Sequence, residues 1–165
     1  MQRIIGIDAS LTSTGVTCFK GDETKMFMVK TTPSKFDHPL KRYMYIAKTV
    51  LRTCQKFFGP INNVDWGIEG YAMMRKYGKL TELAEVAGLI KQMLYSNTGK
   101  YPIVVAPSTL KKFVTGKGNI GKEHVLLYSY QKWGIEFASN DIADAYGIAK
   151  LVQAIHHREL DDLFK

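Results

Sequence analysis

Cysteine is scarce in this sequence: Cys18 and Cys54 are its whole complement in 165 residues. Each falls in an apolar periodic stretch, with no histidine or second cysteine at metal-ligand spacing. That excludes a zinc cluster or a disulfide framework and leaves buried thiols of a reducing compartment. Long hydrophobic runs are missing as well. Nothing approaches the roughly eighteen unbroken apolar residues of a membrane span, and residues 1–30 hold no basic start followed by an apolar run. Neither a transmembrane segment nor a secretory signal is expected, and the protein reads as cytoplasmic in type. No repeat, low-complexity tract or Pro/Ser-rich linker divides the chain, so one domain over residues 1–165 is expected. What is present, 45% hydrophobic and 12% aromatic residues, suffices for a packed core.

Acid is in deficit too. Asp and Glu number 15 against 23 Lys and Arg, a net charge of +8. Such an excess favours a polyanionic partner, because neutralised phosphates release condensed counterions. A modestly basic balance also serves solubility alone, so the positions of the few acids carry more information than the total.

Residues 3–9 form a short apolar run that stops at an acid, the pattern of a buried strand with its polar end at the sheet edge. Residues 14–19 and 25–31, joined by Gly21-Asp22, read as two more strands of a meander. Pro39 opens a helix, with Asp37 or His38 as its cap. Leu40, Tyr43, Met44, Ala47, Val50, Leu51, Cys54 and Phe58 recur at helical spacing along it, and Lys41, Arg42, Lys48, Arg52 and Lys56 fill the other face. Residues 64–69 form a strand that again ends in an acid. An amphipathic helix over about 78–96 follows, then a short strand at 102–105. Beyond Pro107 the chain reads as mainly helical: a short turn around 109–114, a helix from about 122 to 133 and a last helix from 140 to about 157. This order predicts an α/β fold, a five-stranded mixed sheet flanked by helices.

Asp8 ends the first strand and Glu69 the fourth. Asp141 and Asp144 lie three apart at the start of the last helix, on one face. If the first and fourth strands are neighbours, their carboxylates meet at one sheet edge, where the last helix adds its pair. Clustered carboxylates repel unless a cation neutralises them. Oxygen ligands without Cys or His select Mg²⁺ or Mn²⁺ over zinc. Each acid also has a plainer explanation. Asp8 and Glu69 could be exposed strand ends, and Asp141 could complement the helix dipole with Asn140 as cap. Asp144, between Ala143 and Ala145 on a small-residue surface, is not covered by that explanation.

At these residues the sequence resembles the RuvC-type Holliday junction resolvases of the ribonuclease-H-like superfamily. Gly6-Ile7-Asp8 followed by Thr14-Gly15-Val16 is similar to the family's first motif, and Ile68-Glu69-Gly70 to its second. Residues 106–125, Ala-Pro-Ser-Thr-Leu-Lys-Lys-Phe-Val-Thr-Gly-Lys-Gly-Asn-Ile-Gly-Lys-Glu-His-Val, resemble the third. Asp141-Ile-Ala-Asp144-Ala-Tyr-Gly-Ile-Ala149 matches the fourth. The resemblance implies a homodimer, paired through the helix at about 78–96, that nicks two opposed strands of a four-way DNA junction. It implies Mg²⁺ at Asp8, Glu69, Asp141 and Asp144, with Lys111 and Lys122 on the DNA near the scissile phosphate. Two ions about 3.5–4 Å apart would serve both ends of the displacement. Lys122 is expected to stabilise developing phosphate charge as a fixed cation. Lys111, Lys112, Lys117 and Lys122 crowd around Gly116 and Gly118, as a phosphate-contacting loop would require.

Two positions depart from the family pattern. Ala9-Ser10 follows Asp8 where Pro-Gly is usual. Ala72 stands three residues after Glu69, where bacterial members commonly carry a Phe that stacks on junction bases. Tyr71, Met73 or Tyr77 would substitute for it, with Arg75, Lys76 and Lys79 on the nearby backbone. This divergence points to broader selectivity for branched DNA, forks and flaps included. With the compact length, it also suggests a phage or mobile-element member acting in a bacterial host's cytoplasm. Competing functions fare less well. Residues 116–122 nearly match a P-loop, but Glu123 occupies the Mg²⁺-ligating Ser/Thr position. The actin and sugar-kinase ATPases share the core fold and a phosphate loop like residues 8–14, yet need two such domains to enclose a nucleotide. A non-catalytic DNA-binding module would not need four acids beside a phosphate backbone. A ribosomal-RNA-processing nuclease of the same fold fits the long basic loop poorly.

Overall fold

The computed structural model describes residues 1–71, 77–117 and 121–157, and only the backbone of residues 77–79, 122 and 123. Ala72, Met73, Arg75 and Lys76 therefore lie outside the described residues, as do the side chains of Tyr77, Lys79 and Lys122.

A five-stranded sheet of order β3-β2-β1-β4-β5 is built from β1 (Arg3–Asp8), β2 (Ser13–Lys20), β3 (Glu23–Lys30), β4 (Asp65–Glu69) and β5 (Ile103–Val105). The first three are antiparallel neighbours, and β1, β4 and β5 run parallel. This is the mixed sheet expected from the element order. Alternation along β1 and β2 sends their side chains to opposite faces. Ile5, Ile7, Val16 and Cys18 meet α1 (Pro39–Phe58) and α2 (Tyr77–Thr98), whereas Ile4 and Phe19 meet α5 (Asn140–His156). Outside that second layer, α3 (Pro107–Thr115) and α4 (Lys122–Trp133) pack against α5 through Leu110, Val114, Val125, Ile148 and Leu151. The Cys18 and Cys54 thiols are buried and free, with sulfurs 3.7 Å apart. Among the described residues no helix is long and apolar enough to cross a membrane.

Helix α1 begins at Pro39 as expected, with His38 rather than Asp37 as cap: its Nδ1 accepts from the Leu40 N–H at 3.1 Å. Two of its positions reverse the pattern reading. Leu40 is 48% exposed, while Arg42, assigned to the solvent face, is only 6% exposed. The cause is tertiary: the turn after β1 and the end of β3 supply oxygens that hold the guanidinium inside. The helical turn expected at 109–114 extends to a nine-residue helix, α3. Pro107 presets its first turn, and Leu110 and Val114 are buried, which supplies the stabilisation that so short a helix lacks by itself. A left-handed Gly116 (φ 76°) closes it.

Candidate active site

In the parallel pairing of β1 with β4, Ile7 stands beside Ile68. The next residue on each strand is an acid, so Asp8 and Glu69 emerge together at the same edge of the sheet. The condition set on the sequence, that the first and fourth strands be neighbours, is met. Helix α5 crosses this edge. Its cap is Ser139, whose hydroxyl accepts from the Ile142 N–H at 3.2 Å, and not Asn140 as the sequence suggested. Asn140 is thereby released to line the cleft instead. Asp141 occupies the first turn of α5 and Asp144 the next, both half-buried, while the intervening Ile142 and Ala143 are core residues.

What draws α5 this close is glycine. A Cβ on Gly6 would lie 2.5 Å from the Ala149 nitrogen and nearer still to the Ala145 carbonyl oxygen. On Gly15, which stands opposite Asp8 in the β1–β2 register, a Cβ would lie 2.6 Å from the Asp141 carbonyl carbon. The helix backbone rests on bare strand, and Asp141 is seated by direct contact with the strand facing Asp8.

The electrostatics follow from this crowding. Asp8 is only 8% exposed. Burial, then the charges of Glu69, Asp144 and Asp141 in that order, raise its pKa well above the usual carboxylate value, and a hydrogen bond with Glu69 adds to the effect. The other three predicted acids therefore all act on Asp8. The folded state holds the Asp8 proton more tightly than the unfolded chain does. The cost of ionising it is absent below the unfolded pKa and fully developed once pH exceeds the raised folded value. We expect the metal-free protein, held in EDTA, to gain stability as pH falls from neutral towards the carboxylate range. Asp8→Asn should flatten this dependence and raise the neutral-pH Tm, by about 2–4 °C for each kcal/mol relieved. Denaturation midpoints at several pH values, equal for both proteins, would contradict it.

An open cleft of about 190 Å³ adjoins the acids, lined by Glu69, Asp144, Asn140, Lys111 and Tyr71 among others. Among the described residues no group of three carboxylates, imidazoles or thiols is arranged so that it could hold a metal ion. An open, oxygen-only donor set suits a hard cation that keeps several of its waters and takes few protein ligands, as Mg²⁺ does, better than it suits zinc. The residues present thus fit such an ion.

Of the predicted DNA-contacting residues, the structure brings Lys111 and Tyr71 to the cleft wall. Lys112 and Lys117 are exposed at and beyond the end of α3 and do not line the cleft. Sequence reasoning missed Lys91, whose ammonium sits 5.1 Å over the Tyr71 ring from α2. It lies between apolar helix positions, and only the fold brings α2 beside the end of β4. It also missed Pro107, Leu110 and Val125 as apolar walls.

No protein-family model matches the chain. Over 148 residues it is 24% identical to a crossover junction endodeoxyribonuclease RuvC of Chlorobium phaeovibrioides, an alignment covering 88% of this chain and 78% of that protein. Its structure superposes on Thermus thermophilus RuvC with a TM-score of 0.71 at 22% identity, covering 96% of both chains. With T. thermophilus RuvC in complex with a Holliday junction substrate the TM-score is 0.73 at 23% identity, again over 96% of both. In fold the chain is similar to these RuvC structures, with a five-stranded mixed sheet and flanking helices, and its sequence aligns with a RuvC over most of its length.

Proposed function

We propose that this protein is a metal-dependent, structure-selective DNA endonuclease that nicks paired strands of four-way junctions or other branched DNA. The observation that carries the reading is Asp8: a buried carboxylate on which Glu69, Asp144 and Asp141 act, two of them lining a cleft whose wall also carries Lys111. Four acids beside a polyanion are unfavourable unless a cation joins them. Mg²⁺, or Mn²⁺ in its place, would be held by Asp8, Glu69, Asp141 and Asp144, as two ions serving the attacking and leaving oxygens. The chain's own groups orient the substrate. Lys111 offers a cation inside the cleft, and Lys112 and Lys117 offer further charge along the exposed edge. Lys122, at the first turn of α4, is proposed as the cation nearest the developing charge. Tyr71, 40% exposed and backed by Lys91, is the proposed stacking platform in place of the family's Phe. Two copies paired through α2 would present two clefts to opposed strands.

The test is a synthetic four-way junction incubated with the protein in Mg²⁺ or Mn²⁺. Paired nicks near the crossover are expected, and replication forks, flaps and linear duplex define the selectivity. Binding without cutting in either metal would refute the nuclease assignment. Tyr71→Ala should weaken junction binding by about tenfold, from the roughly 1–3 kcal/mol of one stacked base. Unchanged affinity in a binding titration would remove Tyr71 from that role.

A further inference from the structure

The guanidinium of Arg42 is buried, and among the described residues no carboxylate forms an ion pair with it. Its Nε donates to the Thr31 hydroxyl at 2.9 Å and its Nη2 to the Leu11 carbonyl, both neutral acceptors. Burying a charge costs several kcal/mol unless an opposite charge compensates it, so such groups are normally paired. Arginine has five N–H donors, and two are used. Arg42 also lines a hollow of about 290 Å³, together with Ser10, Thr12, Pro33 and Glu82 among others.

The hollow is placed to matter. Ser10 lies two residues beyond Asp8, and Leu83 is a wall common to this hollow and the carboxylate cleft. Its hydroxyls are pre-arranged. The Ser10 oxygen accepts from the Thr12 and Ser13 N–H groups, each at 3.3 Å, and stands 3.4 Å from the Thr12 hydroxyl. Only one of the two hydroxyl protons is needed for the contact between them. Arg42 and Thr31 both hold the Leu11 carbonyl, which fixes the turn against α1. Glu82 is exposed on the rim, and its charge opposes an anion there.

Resting on the nuclease reading above, we propose that Arg42, with the Ser10 and Thr12 hydroxyls, binds a DNA backbone phosphate next to the one seated at the carboxylates. The strand would then be gripped on both sides of the acids, by Lys111 on one flank and Arg42 on the other. The bidentate geometry of arginine suits a phosphate, which also supplies a counter-charge.

The experiment measures binding of the full chain to a fluorescent four-way junction in EDTA across a salt series. Arg42→Gln is expected to make the slope of log affinity against log salt shallower by about 0.9 and to cost roughly 5–10-fold in affinity near 0.1 M salt, the loss of one phosphate contact. Arg42→Lys should recover most of the slope. Thr12→Glu, at an exposed position, should weaken binding comparably, and Glu82→Gln should tighten it. Should Arg42→Gln fail to fold, the two surface variants decide. If wild type binds the junction while Thr12→Glu and Glu82→Gln bind as it does, Arg42 is a strut for the turn and the inference is overturned alone. If wild type binds no DNA, the nuclease reading falls and this inference with it.

Discussion

Asp8→Asn is expected to abolish nicking of a four-way junction while leaving junction binding intact or tighter. Asp8 is the most enclosed of the four acids and the one on which the other three act. In the proposed ligand set Asp8 would hold the ion against the sheet, and its loss should remove several kcal/mol of transition-state stabilisation, roughly 10³-fold in rate or more. Affinity should move the other way, because one negative charge facing the DNA backbone is gone. Asp144→Asn and Glu69→Gln should match this loss, since their charges weigh most on Asp8. Asp141→Asn should cost less: its charge on Asp8 is the weakest of the three, and it also serves as the acid of a helix first turn. Mg²⁺ or Mn²⁺ should raise the Tm of the wild type, by about 2.7 kcal/mol of stability at a hundred times the dissociation constant, and that of Asp8→Asn far less. Single-turnover cleavage with binding titrations reads these effects together. Nicking by Asp8→Asn within a few-fold of wild type would rule out the proposed ligand set.

Much of this was legible from residue pattern alone. An apolar run that ends in an acid is a buried strand reaching its sheet edge, and two such runs at Asp8 and Glu69 place the site before any coordinate is known. The helical spacing of α1 and the i, i+3 pair on α5 were equally readable, because local periodicity and burial agree there. What stayed hidden depends on contacts between segments distant in sequence. Arg42 looks like a solvent-face cation, since its acceptors, Leu11 and Thr31, come from another part of the chain. Lys91 has no periodic signature that separates it from a surface lysine, and only the approach of α2 to the end of β4 puts it over Tyr71. Ser139 and Asn140 are both good cap residues, and the extended backbone at Ser139 decides between them. Helix α3 reads as no more than a helical turn until Leu110 and Val114 are seen buried beneath it.

The glycines of the first motif were visible as letters but not as a packing requirement, and they carry the other large expected effect. Gly6→Ala would drive a methyl into the backbone of α5 at Ala145 and Ala149, and Gly15→Ala would drive one into Asp141. Backbone cannot rotate aside as a side-chain end can, so the sheet and helix must separate. Overpacking of this kind costs about 1–3 kcal/mol and at times more; against rigid backbone the upper end is expected. For a chain of this size that corresponds to a Tm lower by about 6–12 °C. Gly67→Ala is the internal comparison, because its Cβ would meet the side-chain methyls of Val152 at 2.6 Å and Ile148 at 3.0 Å, which have some freedom to shift. It should cost less. The two severe variants should also differ from each other. Gly6 contacts α5 at Ala145 and Ala149, one residue past Asp144 but at neither acid, whereas Gly15 contacts Asp141 itself. Gly15→Ala should therefore lose cleavage well beyond its loss of stability, when assayed at a temperature where the folded fraction is complete. Gly6→Ala assayed in the same way should retain more activity. Thermal unfolding and cleavage measured on the same preparations separate the two effects. If both variants lose activity only in proportion to the unfolded fraction, the seat that Gly15 provides for Asp141 is structural alone and the helix start tolerates displacement.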